Sequence, residues 1–253
     1  MAVGHKLENE ELAGLHKKLF DSRKSNIQKY QELFIGRAGW LTLLRYELTI
    51  LLLGQLPGAL GLALRKIFYK PLFKNVGKNV VFGQNLTIRH PHKISLGDNV
   101  IIEDYCLLDA KGNDNEGITI GEWVTLGRMS SLTCKNGNIR IGSHINMGSS
   151  VKIVVADGGT IKIEDNVAIG SSCHFSGGSY DYSDKTVLPS ARRLPTKGIT
   201  IGQLTWIGAG VIVLDGADIG NNTIIGAGSI VTKSIPHNTI AAGMPAEVKK
   251  IRK

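Results

Sequence analysis

A chain of 253 residues, 42% hydrophobic and 20% charged, can bury a sizeable core and is too apolar for a disordered segment. Its three cysteines, Cys106, Cys134 and Cys173, show no CxxC spacing, which argues against a disulfide frame and a thiolate zinc site. The net charge of +9 sits at the two ends, but no nucleic-acid motif or aromatic-basic interleaving accompanies it, so nucleic acid is not an expected partner.

Residues 1–75 hold 12 Lys/Arg against 6 Asp/Glu. The opening MAVGHKLENEEL is polar and mixed in charge, unlike a secretory signal, so a cytoplasmic location is expected. Residues 7–34 read as one or two charged helices. Leu48 to Leu64 is uncharged but broken by Gly54, Pro57 and Gly58, which predicts two short helices joined by a turn. Two compatible readings stay open for this segment. It is a helical cap over the next domain, or also a monotopic patch on the inner face of the plasma membrane, with Arg37, Arg45, Arg65, Lys66, Lys70 and Lys74 at anionic headgroups. A full span is the third alternative.

From Val76 the chain repeats every six residues: VGKNVV FGQNLT, LGDNVI IEDYCL, IGEWVT LGRMSS, IGSHIN MGSSVK, IEDNVA IGSSCH, IGQLTW IGAGVI and IGNNTI IGAGSI. An aliphatic residue opens nearly every hexad, and glycine follows it at positions such as 77, 97, 127, 170, 208 and 226. A second inward position precedes each aliphatic by two residues, as at Val100, Cys106, Ser130, Cys173, Thr205 and Ser229. This alternation marks strands with one buried face, too short for a sandwich. The glycines and Asn79, Asn85, Asn99, Asn166 and Asn222 are read as corner residues that tolerate unusual backbone angles. The expected fold is an all-β solenoid, three short strands per coil, with a helical cap. AKGNDNEG (110–117), CKNGN (134–138) and ADGGT (156–160) read as short excursions, and 176–198 as a long functional loop. The expected division is cap 1–75, solenoid 76–248 and basic tail 249–253.

The repeat resembles that of the hexapeptide-repeat acyltransferases, and is similar to their polysaccharide-type O-acetyltransferase branch. The likeness covers residues 76 to about 248, including the closing WIGAGVIVLDGADIGNNTIIGAGSIVTKSIPHNTIAAGMPAEV with its small-residue-Gly-x-Pro-Ala ending at Ala242 to Ala246. The resemblance implies a left-handed parallel β-helix, an exception to right-handed crossovers. It also implies a homotrimer that holds acetyl-CoA or another short acyl-CoA in a groove beside the coils, with no metal. The implied acceptor is a sugar or glycan hydroxyl in polysaccharide or lipid-linked glycan assembly.

Acyl transfer needs a base, oxyanion donors and a slot that aligns donor with acceptor. The family's loop pattern, Gly-Gly/Ser-His-Asp-Tyr/Phe-x-Asp, matches Gly178, Ser179, Asp181, Tyr182 and Asp184, but Tyr180 stands where the histidine belongs. A phenol ionises about three units above neutrality and needs local help to act as base. His174, outward between inward Cys173 and Phe175, is the nearest substitute and is expected at the root of the loop, with Asp181 to orient it. Candidate coenzyme A contacts are Trp206, Gly208, Ala209, Gly226, Ala227, Gly243 and Pro245, with Lys233 and Lys249 for the nucleotide phosphates.

His90 and His92 are read as alternating on one strand face, a pattern that can hold metal but lacks a third ligand. Asp109 and Glu116 are read as solvated loop acids, and His144 and His237 as corner or turn residues. Loss of the loop histidine leaves a second reading open, a non-catalytic scaffold or acyl-CoA-binding protein.

Overall fold

The computed structural model describes residues 21–183, 185, 186, 192 and 194–253. His5, His16 and the first part of the expected charged helices lie outside the described residues, as does Asp184.

The hexads build a triangular prism of three parallel sheets. The first face has six strands, from Asn75–Val76 to Ile199–Ile201. The second has nine, from Val81–Phe82 to Ala246–Ile251. The third has seven, from Thr87–Arg89 to Ile230–Val231. Each strand but the last of the second face pairs in parallel with its equivalent one coil on, as in Trp206↔Ile224 and His174↔Ile212. The architecture is the expected β-helix with an N-terminal helical cap.

Alternation decides which side chains go in. Ile94, Ile118, Ile139, Ile161 and Ile199 stack inside the first face, and Ile88, Leu108, Leu132, Ile153 and Phe175 inside the third; all are at most 1% exposed. β-branched side chains suit a pleated ladder, and each such burial contributes about 1.5–3 kcal/mol. The second inward ladder is also buried, including its polar members. Ser130 donates to Gly148 O, Thr205 to Gly220 O and Ser229 to Gly226 O, which satisfies hydroxyls that burial would otherwise penalise.

The corners divide the labour differently from the expectation. Asn79, Asn85, Asn99, Asn166 and Asn222 do adopt left-handed backbone, with φ between 54 and 60°. The hexad glycines do not. They are glycines because the next coil lies against them: a Cβ on Gly208 would stand 2.5 Å from Ala227 N, and one on Gly170 2.5 Å from Ala209 N.

At the first coil the open end of the prism is plugged by Tyr69, Phe73 and Phe82, with ring centroids 5.4–5.5 Å apart. Over them pack helices Trp40–Leu53 and Gly58–Phe68, the predicted pair with its Pro-Gly break. Arg65 does not face headgroups. It is 2% exposed and donates to Leu53 O, Leu56 O and Phe82 O, tying both helices to the second face. No helix among the described residues is long and apolar enough to cross a membrane. At the other end, Ala246–Ile251 folds back antiparallel on Thr239–Gly243, so the basic residues expected as a tail from 249 belong largely to a closing strand.

Among the described residues, departures from the hexad rhythm fall on one edge, where the third face turns into the first: 89–93, 112–117, 136–137, 157–159, 178–183 and 194–198. The strands run further than expected before turning, with Leu107–Lys111 and Lys152–Ala156 taking in residues read as excursions.

Candidate active site

The edge between the second and third faces changes character along the prism. In the second and third coils it carries Asp104 and Tyr105, then Arg128 and Met129; Tyr105 and Met129 are exposed. From the fourth coil onward it carries only Ser149-Ser150, Ser171-Ser172, Ala209-Gly210 and Ala227-Gly228. The left-handed position is held by side-chain-bearing residues down to Ser172 and by glycine at Gly210 and Gly228, so the bulk disappears from the corner. The result is a smooth strip four coils long.

The same change alters its hydrogen bonding. Higher up, the amides after hexad glycines are capped by side chains of a neighbouring coil: Gln84 N donates to Asp104 Oδ1 at 2.8 Å, Arg128 N to Glu103 Oε2 at 3.0 Å and Ser149 N to Ser171 Oγ at 3.2 Å. Ala209 and Ala227 have no such oxygen to offer the amides of Ser171 and Ala209. Those N–H groups are left to water or to the carbonyls of an extended ligand.

Of the residues expected to hold coenzyme A, Gly208, Ala209, Gly226 and Ala227 line this strip, and the Gly243–Pro245 turn lies at its foot, with Met244 Cε 3.9 Å from where a Gly228 Cβ would sit. Trp206 flanks it on the second face, outward and exposed. Lys249 lies on the closing strand beside Glu247, 3.2 Å away. Lys233 is not brought to the strip: it follows Ile230–Val231 and falls on the opposite edge of the third face.

His174 borders the strip on its other side. It is the first residue of His174–Gly177, half-buried, in an outward ladder between Lys152 and Ile212. Burial, then the Lys152 charge, pushes its pKa below the ordinary value of 6.5, so the imidazole is neutral at neutral pH, as a base must be. Its position differs from the expectation. The loop leaves from the far end of the strand, after Gly177, about 10 Å of extended chain away. Tyr180 and Asp181 issue from that far edge; Tyr180 is half exposed, and Asp181 Oδ1 accepts from Ser183 N at 2.9 Å.

The loop is held by a residue that sequence reading missed. Asp215 accepts from Thr196 Oγ1 at 2.9 Å, from Lys197 N at 2.9 Å and from Gly198 N at 3.0 Å, closing its return limb onto the next coil. The signal was present in LDGAD, where an acid precedes a turn glycine (Gly216, φ +77°) at the edge that carries the loops.

The same edge corrects two further readings and keeps a third. His90 is not on a strand: it follows Thr87–Arg89 with φ 52° and opens the short turn Pro91–Lys93, so it and His92 do not form a strand-face pair. Both rings press on Gly36, where a Cβ would come within 2.3 and 2.6 Å of them. Asp109 is not solvated. It is 6% exposed, 3.6 Å from both His90 Nδ1 and Arg89 Nη1, and lines a cavity of about 520 Å³ with Arg89, Lys111, Asn113, Thr133 and Asn136. Glu116 is exposed and pairs with Arg140 at 2.7 Å. The mixed polar lining suits a hydroxyl-rich ligand better than an apolar one.

Among the described residues no three His, Cys, Asp or Glu side chains are grouped to hold a metal ion. All three thiols are buried, and burial pushes Cys106 up to about 11 and Cys134 up to about 12.

Comparison with known proteins gives this geometry a family. Residues 198–233 match the model of the bacterial transferase hexapeptide (six repeats). The chain is 32% identical over 174 residues to the galactoside O-acetyltransferase of Escherichia coli (strain K12), covering 68% of this chain and 75% of the relative. It is 30% identical over 142 residues to a putative lipopolysaccharide biosynthesis O-acetyl transferase of the same organism, covering 46% of this chain and 72% of the relative. Among solved structures it is similar to a point mutant of AntD, an N-acyltransferase from Bacillus cereus in complex with dTDP and coenzyme A. That match has a TM-score of 0.52 at 25% identity, over 72% of this chain and 85% of the other. The chain belongs to the hexapeptide-repeat acetyltransferase family.

Proposed function

We propose that this protein transfers an acetyl or other short acyl group from coenzyme A to a hydroxyl of a sugar or glycan, working as a homotrimer. The observation that carries the reading is the four-coil strip of Ser, Ala and Gly with a half-buried, neutral imidazole at its side. An extended pantetheine arm fits a strip without side chains, and amides not capped by the coil below are donors for its carbonyls. O-acetylation is favoured by the relatives named as O-acetyltransferases; coenzyme A is favoured by its presence with AntD.

The reaction balances simply. The acceptor hydroxyl oxygen attacks the thioester carbon while a nitrogen of His174 takes its proton. Backbone N–H groups of the strip hold the oxyanion. Collapse breaks the carbon–sulfur bond, and the departing thiolate takes up the proton that His174 carried. Tyr180 and Asp181, on the loop, contact the acceptor.

A second reading rests on Tyr180, which stands where the family resemblance implies a loop histidine: a scaffold that binds acyl-CoA without turnover. Release of free thiol from acetyl-CoA, measured over a panel of mono- and oligosaccharides, separates the two. Acceptor-dependent release supports the transferase. Saturable coenzyme A binding with no release over the whole panel supports the scaffold, and no binding of coenzyme A removes both.

A further inference from the structure

The two cap helices are amphipathic in the wrong sense for a soluble protein. Towards the solenoid, Trp40–Leu53 buries Leu43, Tyr46 and Thr49, and Gly58–Phe68 buries Gly61 and Arg65. Away from it, Trp40, Leu41, Leu44, Leu48, Leu51 and Leu52 are all exposed, Leu41 at 81% and Leu51 at 76%. Spacings of three, four and seven put these six on one side of the helix. On the second helix Leu60 and Ile67, seven residues apart, are likewise exposed. Soluble monomers rarely leave an apolar surface of this extent uncovered.

The charge around it is one-sided. Between Arg37 and Lys74 the sequence has six basic residues and one acid, Glu47. Arg65 is buried, which leaves Arg37, Arg45, Lys66, Lys70 and Lys74 exposed. Glu47 is half-buried and accepts from the Tyr30 hydroxyl. Among the described residues from Arg37 to Lys74 the rim is therefore cationic, and its one acid, Glu47, is turned to Tyr30.

We propose that this face seats in the headgroup region of an anionic lipid bilayer, as a monotopic anchor that lies in the interface without crossing it. Leucines enter the acyl boundary, Trp40 lies at its edge, and the five cations meet lipid phosphates. A second copy of the chain is a poorer occupant, because a two-fold contact would bring two cationic rims together. The proposal goes beyond the acyl-transfer reading and does not depend on it.

The test is cosedimentation of the full chain with vesicles of phosphatidylcholine, alone or mixed with phosphatidylglycerol, together with light-scattering mass in solution. Binding is expected to the mixed vesicles, to weaken at high salt, and to be far lower on phosphatidylcholine alone. Leu41→Gln with Leu51→Gln should abolish it. Lys66→Ala with Lys70→Ala should weaken it by about thirty-fold. Since all four side chains point away from the core, the melting curve should not move. Wild-type protein that stays in the supernatant with both vesicle types overturns the proposal, as does undiminished binding by the leucine variant. A larger assembly that Leu41→Gln/Leu51→Gln dissociates, without vesicle binding, assigns the face to a second copy instead. No readout involves turnover, so an inactive enzyme leaves the result interpretable.

Discussion

Lys152 and His174 are register partners on adjacent coils of the third face, and the ammonium is the second cause, after burial, that lowers the imidazole pKa. The pair gives the proposed base a defined pH signature. Only the neutral form accepts a proton, so kcat/KM should rise with pH through a value below 6.5 and be flat above it. Lys152→Met removes a like charge, and the acid limb should move to higher pH without loss of the plateau. A profile unmoved by the substitution would detach the limb from His174.

Stability should carry a second acid signature, from His92. Burial first, then the charges of Arg37, His90 and Lys93, depress its pKa from 6.5 to about 4. The unfolded chain binds this proton more readily than the folded one. The stabilisation is therefore complete above about pH 6.5 and is lost as pH falls towards 4. Melting temperature should drop across that window, and His92→Gln should flatten the drop.

Arg65→Leu should be costly although it puts an apolar side chain at a buried position. Removing the guanidinium strands the carbonyls of Leu53, Leu56 and Phe82, each at roughly 1–3 kcal/mol. Thermal unfolding should show a loss of several kcal/mol, and Arg65→Lys, which lacks the planar fork, should recover only part of it.

Gly208→Ala and Ala227→Phe should separate structure from binding. The first places a Cβ 2.5 Å from Ala227 N, so it should lower stability by about 1–3 kcal/mol with or without ligand. The second adds bulk to an exposed position of the strip, and should raise the Kd for coenzyme A at least ten-fold while the melting curve is unchanged. Calorimetry and thermal melts on both variants check this.

The solenoid was legible in the sequence because each coil repeats the same local choice. An inward Ile at position 199, 201 or 207 needs no partner beyond its own ladder, so period and burial coincide. The strip was half legible: Gly208, Ala209, Gly226 and Ala227 belong to the repeat, but that they continue Ser149 and Ser171 along one edge emerges only when coils are stacked. The Asp109–His90 contact and the Asp215 clamp were not legible, because each joins residues about twenty positions apart through loops that break the period. Arg65 misled for a related reason. A cation on an apolar helix reads as a headgroup ligand until the carbonyls it satisfies are seen.

The central claim is that the imidazole beside the small-residue strip performs the proton transfer. The direct measurement is acceptor-dependent thiol release by His174→Ala beside the Kd of coenzyme A for the same variant. The account predicts a Kd within two-fold of wild type and a kcat lower by about 10²–10⁴; undiminished kcat would contradict it.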